Sequence, residues 1–314
     1  MNYNALSAIE NKWWIGVFLA LVGLTPSCTN NQSAIQPRES LTSGTIYISA
    51  DESFKPVIDS QIQVFESQHS GAKIIVHYKS EADCLRDLKY DSIRMIIVTR
   101  GLTEDEQKII KDTLTYAPTF GIMAYDAIAL IINNKATDSV FTMHEVRSLV
   151  KGTSGYKYKV VMDGINSTST VRFVVDSLLK GEKMGSIVEG AKGSEAVLDY
   201  ISKNADAVGL IGVSWIGNND DPGQSSFLKK VNLASIECRD CTKGPFVKPY
   251  QANIYGGRYP MTRPVYYILK ENYDGLGSGF RNFLIYEKGQ RIFKRAYLLP
   301  ARMRFEVQNI DLSE

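Results

Sequence analysis

Between Asp163 and Phe173 the chain reads DGINSTSTVRF, an aspartate followed by four consecutive hydroxyl residues, Ser167, Thr168, Ser169 and Thr170, and then an apolar run of helical period. One side-chain oxygen suffices to cap a helix. The surplus hydroxyls and the free N–H groups of the first turn form a donor set without net charge, which is the chemistry that holds an oxyanion. Two other turns have a similar composition. Ser53 and Phe54 follow GTIYIS and precede a helix opened by Pro56, and Ser80 follows AKIIVHYK. Each reads as a simple cap when taken singly; facing one cleft together they would cage a tetrahedral anion. Asp51 and Glu52 adjoin the first of these turns. Either they point away, or the ligand is not a free dianion.

Catalytic patterns are missing around these turns. GVSWIG lacks the second glycine of a nucleophile elbow, and GSIVEGAKGS lacks the lysine of a phosphate-binding loop. GLGSG at 275–279 has no strand directly ahead of it and reads as a loosened helix entry. His69, His77 and His144 are scattered without ligand spacing, so the sequence predicts neither metal nor cofactor. Cys238 and Cys241, in CRDC, read as a structural pair closing a small disulfide loop, since TKGPF after them does not open a helix as a redox motif requires. Cys84 reads as a packed small hydrophobe. The expectation is a binding protein and not an enzyme.

The elements that must carry these turns alternate. GTIYIS, AKIIVHY, SIRMIIVTR, IMAYDAIALIIN, KYKVVMD and AVGLIGVSW are short, β-rich and mostly continuously apolar, as central parallel strands are. Helical patterns lie between them: TMHEVRSLV opens with Thr142 and Glu145 in capping-box spacing, and GFRNFLIYEKGQRIFKRA reads as one long final helix. This is an α/β plan with a largely parallel sheet or sheets: one sheet could hold all the strands, or the break near YDAIALIINNKATDSVFT divides them into two lobes, each a mostly parallel sheet flanked by helices. The 314 residues, 44% hydrophobic and 22% charged, suffice for well-filled cores. A net charge of +2 without basic clusters excludes a nucleic-acid surface.

The first residues differ in kind. Residues 12–24, KWWIGVFLALVGL, are too short for a membrane span and suit the core of a signal peptide. TPSC follows, and resembles the lipobox of bacterial lipoproteins, in the looser form seen in Bacteroidota; Cys28 would carry the lipid. Thr25 stands where an aliphatic residue is usual, and an uncleaved anchor helix or an ordinary signal peptide is the alternative. The expected organisation is a signal peptide over 1–28, a polar tether over 29–43, lobe 1 over 44–130 and 246–314, and lobe 2 over 131–245. The expected location is the periplasm, by a lipid anchor on the cell membrane.

Over nearly all of residues 44–303 the chain resembles the PstS-like phosphate-binding proteins of bacterial ABC transporters, with a type II periplasmic-binding fold. The resemblance rests on ISADESFKPVI, DAIALIINNKATDSVFTMHEVRSLVKG, STSTVRF, ADAVGLIGVSW, YPMTRPVYYI and EKGQRIFKRAYLLPAR in this order. It implies a monomer that captures phosphate or a similar oxyanion and delivers it to ABC permease subunits. Carried over by position, the ligand donors would be Ser53 with the Phe54 backbone, Ser80, Thr168, Ser169 and Thr170. Two positions depart from the family. Its proton-accepting Asp gives way to Arg94 or its neighbours Thr99 and Arg100, and its Arg ahead of the anion loop gives way to Asp163. Arg94 either reaches the ligand or only packs its stem at a strand end. The departures leave a second reading open, a sensor or adaptor with altered or lost ligand specificity.

Overall fold

The computed structural model describes residues 39–164, 168–218, 222–242 and 246–302. Its main sheet runs β2 (Gly71–Lys79), β1 (Ser43–Asp51), β3 (Ile93–Val98), β12 (Thr262–Leu269), β4 (Thr119–Asn133), β8 (Ala207–Gly212), β6 (Lys159–Met162) and β7 (Val188–Gly190). Two parallel triplets, β2-β1-β3 and β8-β6-β7, flank an antiparallel pair, β12 and β4. β4 joins the halves: residues 119–127 pair with β12, whereas Ile128–Ile132 pair with β8. A fifteen-residue strand serves both because its inner stretch is continuously apolar, so it can be covered on both faces. β9 (Val231–Leu233) and β13 (Leu299–Pro300) add to β4, and β5 (Val140–Phe141), β10 (Ser235–Glu237) and β11 (Phe246–Val247) form a small separate sheet.

Helices cover the sheet: α1 (Lys55–Gln68), α2 (Glu81–Asp87), α3 (Glu104–Leu114), α4 (Met143–Lys151), α5 (Ser169–Phe173), α6 (Ser194–Lys203), α7 (Pro222–Leu228), α8 (Gln251–Tyr255), α9 (Leu276–Ile285) and α10 (Glu287–Arg295). The Thr142–Glu145 capping box forms, and Cys84 is fully buried. None of the helices among the described residues is long and apolar enough to cross a membrane.

The expected single final helix is two. The chain breaks at Tyr286, where the backbone is extended (φ −102°, ψ 178°), and α10 folds back so closely that a Cβ on Gly289 would lie 2.3 Å from the Phe283 carbonyl oxygen. That contact is tertiary and leaves no mark on the helical period. Cys238 and Cys241 are disulfide-bonded with their Cα atoms 5.7 Å apart. Cys28 and the leader before it lie outside the described residues.

Candidate functional site

The chemistry gathers at the carboxyl ends of the parallel strands, where open α/β sheets hold their ligands. β1 ends at Asp51 and continues directly into Glu52, Ser53 and Phe54; β2 leads to Ser80 and Glu81; β3 leads to Thr99. From the other half, β6 leads to Asp163 and α5, β7 to α6 at Ser194, and β8 to Ser214.

Thr168 is the cap of α5, accepting from the Val171 N–H at 3.2 Å. Its own proton goes to Asp163 Oδ1 at 2.9 Å. Thr170 and Ser53 donate to Asp163 Oδ2 at 2.8 and 3.1 Å, so one carboxylate collects three hydroxyl protons from both halves of the sheet. Ser169 Oγ lies 3.4 Å from Ser53 Oγ. Ser53, Ser169 and Thr170 are fully buried and Asp163 nearly so. Four of the expected donors, Ser53, Thr168, Ser169 and Thr170, thus meet in one cluster. Phe54, next in the chain after Ser53, is fully buried.

An arginine also meets them, from an unexpected strand. Arg263 on β12 stands directly opposite Asp126 on β4, and its Nε donates to Asp126 Oδ2 at 2.9 Å. Nη1 donates to Ser169 Oγ at 2.8 Å, and the guanidinium lies 5.2 Å from the Phe54 ring centroid. Both residues are buried. Gly212, ending β8, makes room: a Cβ there would sit 3.2 Å from both the Arg263 guanidinium and the Asp126 carboxylate.

Arg94 is elsewhere. It lies at the start of β3, pairs with Glu39 at 3.7 Å and donates to the Tyr273 hydroxyl. Five residues of extended strand separate it from Thr99, about 16 Å, so it belongs to the opposite end of the sheet. Arg100 makes a two-pronged bond to Glu106 on α3, at 2.7 and 2.8 Å. Neither arginine takes the place foreseen for a ligand group. Ser80 is spent locally, since it caps α2 and exchanges hydrogen bonds with Asp83.

Carboxylates fill the rest of the site. Glu81, 2% exposed, accepts from the Thr99 N–H and hydroxyl at 2.8 and 2.6 Å and from Arg172 Nε at 2.5 Å. Burial opposes its ionisation, but Arg172 and Thr99 outweigh that and hold its carboxyl below the ordinary range. Glu52 reaches across to the first turn of α6, where it accepts from Ser194 N and Oγ, each at 3.1 Å. Burial pushes it up to about 7 despite those bonds. Asp51 accepts from Ser53 N at 2.9 Å, while its Oδ2 is buried without a hydrogen-bond partner. Burial, opposed by Arg263, pushes its carboxyl up to about 6.

Sequence reasoning named Asp51, Glu52 and Asp163 only as misfits, and it missed Asp126, Arg263, Glu81, Arg172 and Ser194. A usable signal existed for one pair. Asp126 in IMAYDAIALIIN and Arg263 in TRPVYYIL are lone charges inside apolar strands, where a charge persists only if paired.

Comparison with known proteins agrees with this architecture. A phosphate-binding protein PstS of Pseudomonas aeruginosa is 24% identical over 233 residues, covering 66% of this chain and 68% of that protein. A substrate-binding protein assigned to phosphate ABC transport in Clostridium perfringens, solved with bound phosphate, superposes with a TM-score of 0.67 at 19% identity, over 82% of this chain and all of that one. An ABC-type phosphate transport receptor of Vibrio cholerae gives 0.58 at 18% identity, over 82% and 100%. At such identities the likeness is one of fold. The profile of the family PBP_like_2, a PBP superfamily domain, matches residues 36–288, and the chain belongs to that family.

Proposed function

We propose that this protein is an exported solute-binding protein that captures inorganic phosphate or a similar oxyanion and hands it to an ABC permease. The observation that carries this reading is the convergence of Ser53, Thr168 and Thr170 on a single carboxylate, with Ser169 and a buried Arg263 against them. Hydroxyls drawn from both halves of the sheet, backed by one guanidinium, are the donor types that bind a small oxyanion. The relatives named for phosphate binding and phosphate transport support the choice of ligand.

The mechanism is binding without catalysis. Lobe 1, residues 44–130 and 246–314, and lobe 2, residues 131–245, close about β4 and the return segment near 245–265, bringing Ser53 to the 168–170 turn. A leader over 1–28, lipid on Cys28 and a tether over 29–43 would hold the monomer on the periplasmic side of the membrane, next to the permease. A second reading, a sensor or adaptor that kept the fold with altered or lost ligand, is favoured by one observation: Asp163 already takes the hydroxyl protons.

Calorimetric titration of the full-length chain in detergent, with phosphate and with sulfate at two pH values, separates these. Heat with phosphate that saturates at one ligand per chain is the expected result. No heat with either anion at either pH would sink the transport reading in favour of the sensor.

A further inference from the structure

We infer that Arg172 is a positioning residue that latches the two halves of the sheet together across the cleft, seconded by Glu52, and that this latch sets how long a captured anion is kept. The inference deepens the oxyanion reading above, while the latch itself is read from the protein's own side chains. Arg172 lies on α5, on the β8-β6-β7 side. Its guanidinium reaches the β2-β1-β3 side: Nε and Nη2 fork onto the Glu81 carboxylate at 2.5 and 3.3 Å, and Nη2 also donates to Thr99 Oγ1 at 2.7 Å. Nη1 faces Asp176, one turn further along the chain, at 3.8 Å. A planar fork held at several corners fixes orientation as well as separation.

The far end of this contact is anchored too. Glu81 is buried and takes both the N–H and the hydroxyl of Thr99, so the acceptor is tied to the turns after β2 and β3 at once. Arg172 follows Thr170 by two residues in the same short helix. A pull on its guanidinium therefore draws the 168–170 turn toward Ser53. The side chain engages Glu81, Thr99 and Asp176, so replacing it removes none of the four clustered hydroxyls.

Glu52 makes the reciprocal contact. From the turn after β1 it accepts from Ser194 N and Oγ in the first turn of α6, on the other half, where the helix dipole favours a carboxylate. Gly193 admits it: the backbone there is at φ +86°, and a Cβ would lie 2.9 Å from Glu52 Oε1. Ser214, after β8, adds a third bridge by donating to the Ser53 carbonyl at 3.0 Å. One half thus offers an arginine and the other a carboxylate, each seated on its opposite. β4 runs continuously through both halves, so opening about it breaks these bridges together.

The test uses the full-length chain in detergent. The Ser194 N–H donates across the cleft to Glu52, so its hydrogen exchange reports opening. In Arg172→Met the Glu52–Ser194 pair is left in place, yet exchange at Ser194 should rise about tenfold or more, as the loss of a charge-assisted bond predicts, with Leu198 and Ile201 inside α6 unchanged. Arg172→Lys, which keeps the charge and loses the fork, should fall between. Stopped-flow release of inorganic phosphate should be about tenfold faster from Arg172→Met, with association little changed. Unchanged exchange at Ser194, or a rise shared equally by Leu198 and Ile201, overturns the latch. Phosphate released at the same rate from both proteins overturns its control of retention and leaves the oxyanion reading intact. A rise at Ser194 with no phosphate bound by either protein supports the latch and overturns the oxyanion reading. If Arg172→Met fails to fold, Arg172→Lys is judged by the same measurements.

Discussion

Replacing Asp51 with Asn should stabilise the protein at alkaline pH and not at acid pH. Asp51 is 1% exposed, accepts from Ser53 N through Oδ1, and has no partner for Oδ2. Burial, opposed by Arg263, lifts its carboxyl from an ordinary 3.8 to about 6. A raised folded value means that the folded state binds the proton more tightly than the unfolded state does. The protonated group's contribution is therefore full below about pH 4 and is lost as the pH rises through about 6. The shift of about two units corresponds to about 3 kcal/mol of destabilisation by the ionised group. Asn keeps the acceptor for Ser53 and removes the charge, but it buries an amide that must find partners, which costs about 1–2 kcal/mol. The net expectation is a gain of about 1–2 kcal/mol at about pH 8, or roughly 2–6 °C in Tm, and no gain at about pH 4. Thermal and urea unfolding at both pH values measure this. A variant that is destabilised by the same amount at both would refute the reasoning, because it would show Asp51 acting through shape and not through charge.

Three further substitutions probe the same site. Arg263→Met strands Asp126 in a dry interior and should cost about 3–5 kcal/mol, largely restored in Asp126→Leu/Arg263→Met; a single variant that melts like the parent contradicts the pairing. Thr170→Val removes a hydroxyl that donates to a carboxylate, with an expected loss of about 1.5–3 kcal/mol in stability and a clear loss of phosphate affinity by calorimetry. Retained affinity would exclude Thr170 from the ligand shell. Gly193→Ala introduces a side chain at φ +86°, with its Cβ 2.9 Å from Glu52 Oε1. It should cost about 1–3 kcal/mol in urea unfolding, because φ +86° with ψ 173° is a conformation that essentially only glycine adopts, and less in a Glu52→Ala background, where the clash is gone.

Local rules made much of this protein readable from the chain. The alternation of apolar β-rich runs with capped helical periods reports the α/β plan, because each element's burial is written in its own residues. Thr142 with Glu145 and Thr168 ahead of Val171 are caps for the same reason: donor and acceptor lie three residues apart. The cluster of Ser53 with Thr168, Ser169 and Thr170 was legible as composition, since strand-to-helix turns share one end of a parallel sheet.

Only the tertiary structure decided what those hydroxyls face. Asp163 lies 110 positions from Ser53, and Asp126 lies 137 positions from Arg263. Such pairings follow from strand order and register, which no local pattern encodes. Arg94 shows the converse: it stands in the right strand and at the wrong end, because distance along a strand converts directly to distance from the site. The chain by itself determined that a donor-rich turn exists. The packing of β12 against β4, and of the two sheet halves across Glu52, Glu81 and Asp163, determined that its donors are already held by the protein's own carboxylates.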